Sequence, residues 1–157
     1  MLMRSVFAAL MVGAAATMSG CATSRSLIEA EVARTNTHTV LAFEETVFNK
    51  HQVKGGFERY VEPDFKQHGS MLPDDRQAAI EALNHLLTTV FPASRIVVER
   101  TVAQGDLVAA QVFWDQKPGE TRGVAMVDIY RLQNAKIVEH WQVAQHLTDS
   151  AANDNGR

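Results

Sequence analysis

The chain has 157 residues, 46% hydrophobic and 21% charged, with a formal net charge of -3. That balance describes one globular core of ordinary size rather than a disordered chain, and it offers no basic footprint for nucleic acid. Cys21 is the single cysteine, so an intramolecular disulfide is excluded.

At the front, Arg4 precedes an apolar run over 6–18, and Ser19, Gly20 and Cys21 follow. This is the form of a bacterial export signal, and the run is shorter than the roughly 20 residues an easy bilayer crossing needs. Met18, Ser19, Gly20 and Cys21 resemble the lipobox of bacterial lipoproteins, with methionine where leucine is usual; ordinary signal cleavage is the alternative. The resemblance implies a signal peptide over 1–20, Cys21 as the lipidated first residue and a tether over 21–38. Ala22 after the cysteine implies the periplasmic side of the outer membrane, with the membrane touched through the lipid anchor only.

Residues 23–37 are polar and mixed, a tether or the first helical turns. Val40, Leu41, Phe43, Val47 and Phe48 recur at helical spacing and predict an amphipathic helix ending near Asn49. Lys54, Gly55 and Gly56 are expected to break it. Phe57, Tyr60 and Val61 fit a short second helix stopped by Pro63, followed by a brief extended piece over 65–68. Asp74 or Asp75 is a candidate N-cap for a third helix carrying Ala79, Ile80, Leu83, Leu86, Leu87 and Val90, ended by Pro92.

After it the apolar period changes to two, and strands are expected over 95–101, 107–115, 121–132 and 136–146. Helices first and an antiparallel meander after them make an α+β domain over 39–147, with about three helices on one face of a curved sheet and a frayed, disordered tail over 148–157.

The last two strands carry the polar residues of interest, Asp128, His140 and Gln142, among apolar and β-branched neighbours. With a three-residue loop of Gln133, Asn134 and Ala135, Asp128 lies directly opposite His140; with a loop of Asn134 and Ala135 alone it faces Trp141. The three-residue loop is the expected register, and it sends Trp141 to the outer face.

Tyr60, Phe65, Gln67-His68-Gly69, Pro73-Asp74, Gly105-Asp106, Val127-Asp128-Ile129-Tyr130-Arg131 and Lys136-Ile137-Val138-Glu139-His140-Trp141 together resemble the SnoaL-like group of the nuclear transport factor 2-like superfamily, over residues 39–145. The resemblance implies a cone: a strongly curved antiparallel sheet wrapped around helices, an apolar cavity open at one end, and a homodimer formed through the outer sheet face. Asp128 matches the acid/base Asp of SnoaL-type polyketide cyclases and the oxyanion-stabilising Asp of the superfamily's ketosteroid isomerases, an enzyme used as a standard example of a carboxylic acid held neutral by apolar surroundings. His68 falls eight residues after Tyr60, where those isomerases carry their general base. Phe43 stands where they need a tyrosine.

Aldol closure or a double-bond shift takes a proton from carbon beside a carbonyl and supplies a proton or hydrogen bond to the enolate oxygen, work for two groups of separated acidity. A carboxyl on an apolar strand face and a histidine, the side chain that ordinarily titrates near neutrality, form such a pair. The expected catalytic residues are therefore Asp128 and His68 facing it across the cavity. His140, Gln142, Tyr60, Trp114, Met126 and Phe43 are the expected substrate-binding residues, although Trp114 and Phe113 must face opposite sides and the sequence does not say which points inward. The bland alternatives are an ion-paired strand carboxylate for Asp128, a loop-edge histidine for His68, and a satisfied core histidine for His140.

His38, His51, His68, His85, His140 and His146 form no helix-borne pair at metal-binding spacing, and no Gly-x-Ser-x-Gly is present. No metal and no cofactor are expected. The sequence thus points to an exported small-molecule-pocket protein doing cofactor-independent acid/base chemistry, by aldol cyclisation or isomerisation, on an apolar carbonyl compound. A non-catalytic ligand-binding lipoprotein and a partner-binding module are the alternatives.

Overall fold

The computed structural model describes residues 18–119, 122–148 and 152–153. Residues 1–17 of the expected signal peptide over 1–20, the side chain of Cys21 and most of the tail lie outside the described residues.

Helix α1 spans Met18–Glu44 and continues as one π-helical turn, Glu45–Asn49, so residues 23–37 are helical and the expected end at Asn49 holds. Its polar residues tie it to the sheet. Asn36 donates to the carbonyl of Gly105 at 3.2 Å and Thr39 to that of Ala135 at 3.4 Å, which fixes the helix against two hairpin turns. Asn49 exchanges two hydrogen bonds with the backbone of Ile96, closing the other end onto the first residues of a strand. No described helix is long and apolar enough to cross a membrane.

The break after α1 falls at His51, whose φ is 52°, and not at Lys54-Gly55-Gly56 as expected. Those three residues lie inside α2, Val53–Tyr60. The physical reason is a close crossing: a Cβ on Gly56 would sit 2.4 Å from Val47 Cγ2, so glycine here admits a neighbouring turn rather than ending a helix. Strand β1, Val61–Gln67, follows at once and contains Pro63. It pairs in parallel with the last strand, and the ladder shifts between Val61 and Lys66, where a residue without an N–H does no harm.

Helix α3, Arg76–His85, is capped by Asp75, whose carboxylate accepts from Ala78 N at 2.8 Å, and a second π-helical turn, Leu86–Val90, completes it. Asp74 instead accepts from the backbone N–H of Gln67 at 2.9 Å, holding the 68–75 loop to the end of β1. Strands β2 (Arg95–Gln104), β3 (Leu107–Asp115), β4 (Val124–Gln133) and β5 (Lys136–His146) form the meander, in the order β1-β5-β4-β3-β2. Strand β4 starts three residues later than expected because Gly123, at φ 81°, passes so close to the Trp114 carbonyl that a Cβ would approach it at 2.7 Å.

The β4-β5 hairpin corrects the expected register. Asn134 and Ala135 both have positive φ, 51° and 59°, making a two-residue turn, so Gln133 pairs with Lys136. A bulge beyond Leu132-Ile137 then shifts the ladder by one, and from Arg131-Glu139 onward Tyr130 faces His140 and Asp128 faces Gln142. Asp128 is therefore not directly opposite His140. The bulge nevertheless restores the parity of the three-residue loop, so Asp128, His140 and Gln142 share the inner face and Trp141 lies on the outer one.

The core is the space between helices and inner sheet face, filled by Val40, Phe43, Val47, Phe57, Leu83, Leu87, Val108, Val112, Met126 and Ile137 among others. Polar residues are also buried there: Glu44, Gln67, Asp128 and His140. Burying such groups is unfavourable unless each is hydrogen-bonded, so their mutual contacts define the site.

Candidate functional site

Asp128 is 2% exposed, and its Oδ1 receives the Gln142 side-chain N–H at 2.8 Å while lying 3.0 Å from His140 Nε2. The other ring nitrogen, His140 Nδ1, is 3.1 Å from Gln67 Oε1. That same oxygen accepts the backbone N–H of Gly69 at 2.9 Å. A backbone N–H can only donate, so the Gln67 amide is oriented with its oxygen inward, and His140 Nδ1 must carry a proton.

The proton inventory follows. With Nδ1 protonated, the Nε2-Oδ1 contact is attractive only with a proton between the two atoms, as in imidazolium beside carboxylate or neutral imidazole accepting from a protonated Asp128. A carboxylate facing a bare Nε2 would set two lone pairs against each other. The dyad therefore holds a proton in the 3.0 Å bond.

A second buried acid stands beside it. Glu44, 1% exposed, accepts from the Tyr130 hydroxyl at 2.5 Å, and the Tyr130 ring stacks on His140 with centroids 4.7 Å apart. Burial pushes the Glu44 carboxyl up to about 8; the nearby Asp128 adds to the rise and the Tyr130 hydrogen bond opposes it. The Tyr130 hydroxyl is raised well above its ordinary value, chiefly by burial and then by Glu44 and Asp128. Glu44 was legible in principle: it falls on the helical stripe of Val40, Phe43 and Val47, where an acid is out of place. Gln67 and Tyr130 were visible as same-face neighbours of Phe65 and Asp128.

His140 borders a narrow cavity of about 50 Å³, and Asp128 lies behind it, outside the lining. Phe48, Leu83, Leu86, Trp114 and Met126 supply its apolar walls; Gln67, His140 and Gln142 form its polar end, and Gly69, Met71 and Leu72 its rim. Met71 is 60% exposed, while Leu72 packs against the core. Among the described residues no three His, Cys, Asp or Glu side chains are grouped to hold a metal ion.

Of the expected residues, the structure brings Asp128, His140 and Gln142 together and sets Trp114 and Met126 in the cavity wall. Trp114 points inward and Phe113 outward, since Trp114 pairs with Val124 on the inner face. His68 does not face Asp128. Its ring stacks on Trp141 at 4.5 Å on the outer side, with Nε2 2.9 Å from Glu139 and its side chain 42% exposed. The cause is the end of β1: Gln67 points inward beside His140, and alternation sends the next residue out. Glu139 also takes the Arg131 guanidinium, and these two partners, Arg131 first, hold its carboxyl below the usual range. Phe43 packs edge-on against Phe57 and Tyr130 behind the dyad, and Tyr60 lies under the Arg59 guanidinium; neither lines the cavity.

The profile of the SnoaL-like polyketide cyclase family matches residues 38–152. No curated protein matches the chain. Among solved structures, a loop-truncation variant of IdmH is 22% identical, with a TM-score of 0.60 over 69% of this chain and 91% of that one. Wild-type IdmH is described as a candidate polyketide cyclase from Streptomyces antibioticus. AclR, a candidate hydroxylase from Streptomyces galilaeus, is 20% identical, with a TM-score of 0.59 over 72% and 90% of the two chains. A candidate polyketide cyclase from Acidithiobacillus ferrooxidans is 17% identical, with a TM-score of 0.57 over 70% and 87%. At these identities the likeness carries the fold alone.

Proposed function

The chain belongs to the SnoaL-like polyketide cyclase family, and from that premise we propose that it performs cofactor-independent acid/base chemistry on an apolar carbonyl compound, with Asp128 and His140 as one proton-holding unit. The observation that carries this reading is the buried Asp128-His140 bond directly behind the polar end of an otherwise apolar cavity. Mutually bonded acid/base side chains at a pocket are what such chemistry needs.

In the ion-pair state Asp128 is a carboxylate base whose charge is balanced by His140. A substrate carbon entering between His140 and Gln142 gives its α-proton to Asp128, and the C–H bonding electrons move onto the carbonyl oxygen as an enolate. The remaining imidazolium and the Gln142 amide oppose that charge in surroundings of low polarity. In an aldol closure the enolate carbon bonds to a second carbonyl of the same molecule, and the resulting alkoxide takes back the proton from Asp128. In an isomerisation the proton returns to a different carbon. Either way the dyad ends as it began, with no redox change and no cofactor. Turnover of a dicarbonyl substrate by wild type and its abolition in Asp128→Asn test the reading.

A specific observation also favours the alternative of ligand binding without turnover: both ring nitrogens of His140 are already engaged by protein groups. A fully satisfied network rigidifies a pocket as well as it catalyses. On this reading Asp128→Asn leaves the protein's measurable function intact.

Export, lipidation at Cys21 and a position on the periplasmic side of the outer membrane are part of the proposal, supported by the sequence over 4–22. Loss of labelled-lipid incorporation in Cys21→Ser tests them. We further propose that two copies pair through the outer sheet face. There Val127 opposes Val143 and Ile129 opposes Trp141, an apolar stripe that a self-complementary two-fold contact would cover.

A further inference from the structure

Trp114 is 4% exposed and forms part of the cavity wall, and its indole Nε1–H has no hydrogen-bond acceptor among the described residues. Phe91 packs edge-on against the ring at 5.4 Å, so the indole is held by an apolar contact and not by its polar atom. A buried N–H left without a partner is unfavourable, and folded proteins keep few of them. The two other buried side-chain atoms in that condition, Arg76 Nε and Ser94 Oγ, belong to residues outside the cavity lining.

The register gives the position. Trp114 pairs with Val124, while Asp128 pairs with Ala110, both on the inner face. Four residues of strand separate the two levels, about 13 Å along the sheet. Met126 and Val112 form the layer between them, and both are apolar. A molecule reaching from the dyad to the indole therefore meets polar protein groups at its two ends and an apolar middle.

We propose that the Trp114 Nε1–H is the anchoring donor of the cavity, and that the ligand is an elongated, largely apolar molecule with an acceptor oxygen at each end. One oxygen lies at the Gln142 amide, whose second N–H meets only the Met126 sulfur at 3.6 Å, the other at the indole. Trp114 is thus a positioning and specificity residue. The inference rests on the cavity being the ligand site, and it adds a requirement that the acid/base reading lacks: a second oxygen remote from the reacting carbon.

The test uses two probes of like shape, para-diacetylbenzene and para-diethylbenzene, with the intact mature protein. Trp114 and Trp141 are the two tryptophans, so Trp141→Phe, a change on the outer sheet face, isolates the indole resonance of Trp114 in nitrogen-15 spectra. The diketone should move the Trp114 indole N–H downfield and the hydrocarbon should not. Its affinity advantage over the hydrocarbon should fall about tenfold in Trp114→Phe, which keeps an aromatic ring and removes the donor. Binding of both probes with no downfield movement, or an unchanged advantage in Trp114→Phe, overturns the assignment and leaves the cavity reading standing. If neither probe perturbs any residue of the cavity, both fall together. The resonance measurement on the Trp141→Phe protein remains decisive should Trp114→Phe fail to fold.

Discussion

His140 Nε2 and Asp128 Oδ1 lie 3.0 Å apart although neither residue is the other's cross-strand partner; Asp128 is paired with Gln142 and His140 with Tyr130. The contact is diagonal across the ladder, which is within reach of a long side chain on a shared face. Being diagonal, it leaves Asp128 flanked by two donors instead of stacked against one. The buried acid thereby has both an orienting amide and a proton partner.

Asp128→Asn keeps the shape of the site: the amide N–H can donate to the bare Nε2 of neutral His140, and the Gln142 amide, now a donor to Oδ1, turns over to accept from it. Ligand affinity should change by less than about threefold while turnover falls at least about a hundredfold, the scale of a lost acid/base group. Calorimetric binding and single-turnover rates on the same preparation separate the two. Loss of binding in step with turnover sinks the idea that Asp128 acts in the chemical step.

Glu44 makes stability depend on pH. Its folded-state value of about 8 lies above the ordinary 4.5, so the unfolded chain gives up the proton first. The stabilisation is complete below about pH 4.5 and is lost as pH rises toward 8, by roughly 3–5 kcal/mol over the window. Glu44→Gln keeps an acceptor for Tyr130 and removes the titration. Urea midpoints from pH 5 to pH 9 should slope downward for wild type and flatten in the variant. Parallel slopes would mean that Glu44 is not the group responsible.

Gly56→Ala should destabilise by about 1–3 kcal/mol, because the new methyl meets Val47 at 2.4 Å in a packed crossing. Intrinsic helix preference acts in the opposite sense, favouring alanine by close to 1 kcal/mol. Thermal unfolding decides between the two. Adding Val47→Ala should recover part of the loss, and a stabilised single variant contradicts the close crossing.

Val127→Lys with Val143→Lys puts like charges directly opposite each other on the outer sheet face. Sedimentation should show a dimer for wild type and a monomer for the double variant, with ligand binding retained. A monomeric wild type removes the proposed pairing.

Much of this protein was legible locally. The change of apolar period from helical to alternating after Pro92, an N-cap at Asp74 or Asp75, and the strands Leu107–Asp115 and Lys136–His146 all follow from side-chain pattern and turn chemistry, the structure choosing Asp75 as the cap. So does the choice of Asp128, His140 and Gln142, polar residues in strands otherwise built to be buried. The end of helix α1 near Asn49 was equally readable. The glycine pair was not, because Gly56 serves a neighbour, Val47, whose approach no local pattern records.

The sequence by itself determined which residues share a face; the tertiary structure decided which of them meet. A two-residue turn and a bulge cancel in parity, so Asp128 and His140 share a face as in the three-residue-loop register, yet their pairing changes. The parallel addition of β1 brings Gln67 to His140 and carries His68 to the outer side, where Glu139 and Trp141 hold it. Residues 44 and 130 become partners across 86 positions of chain, and that contact exists only because helix and sheet are packed together. Alternation along a strand is a local property of the backbone. Proximity between strands and helices depends on the closure of the whole core, and so the proton partner of Asp128 had to be seen in three dimensions.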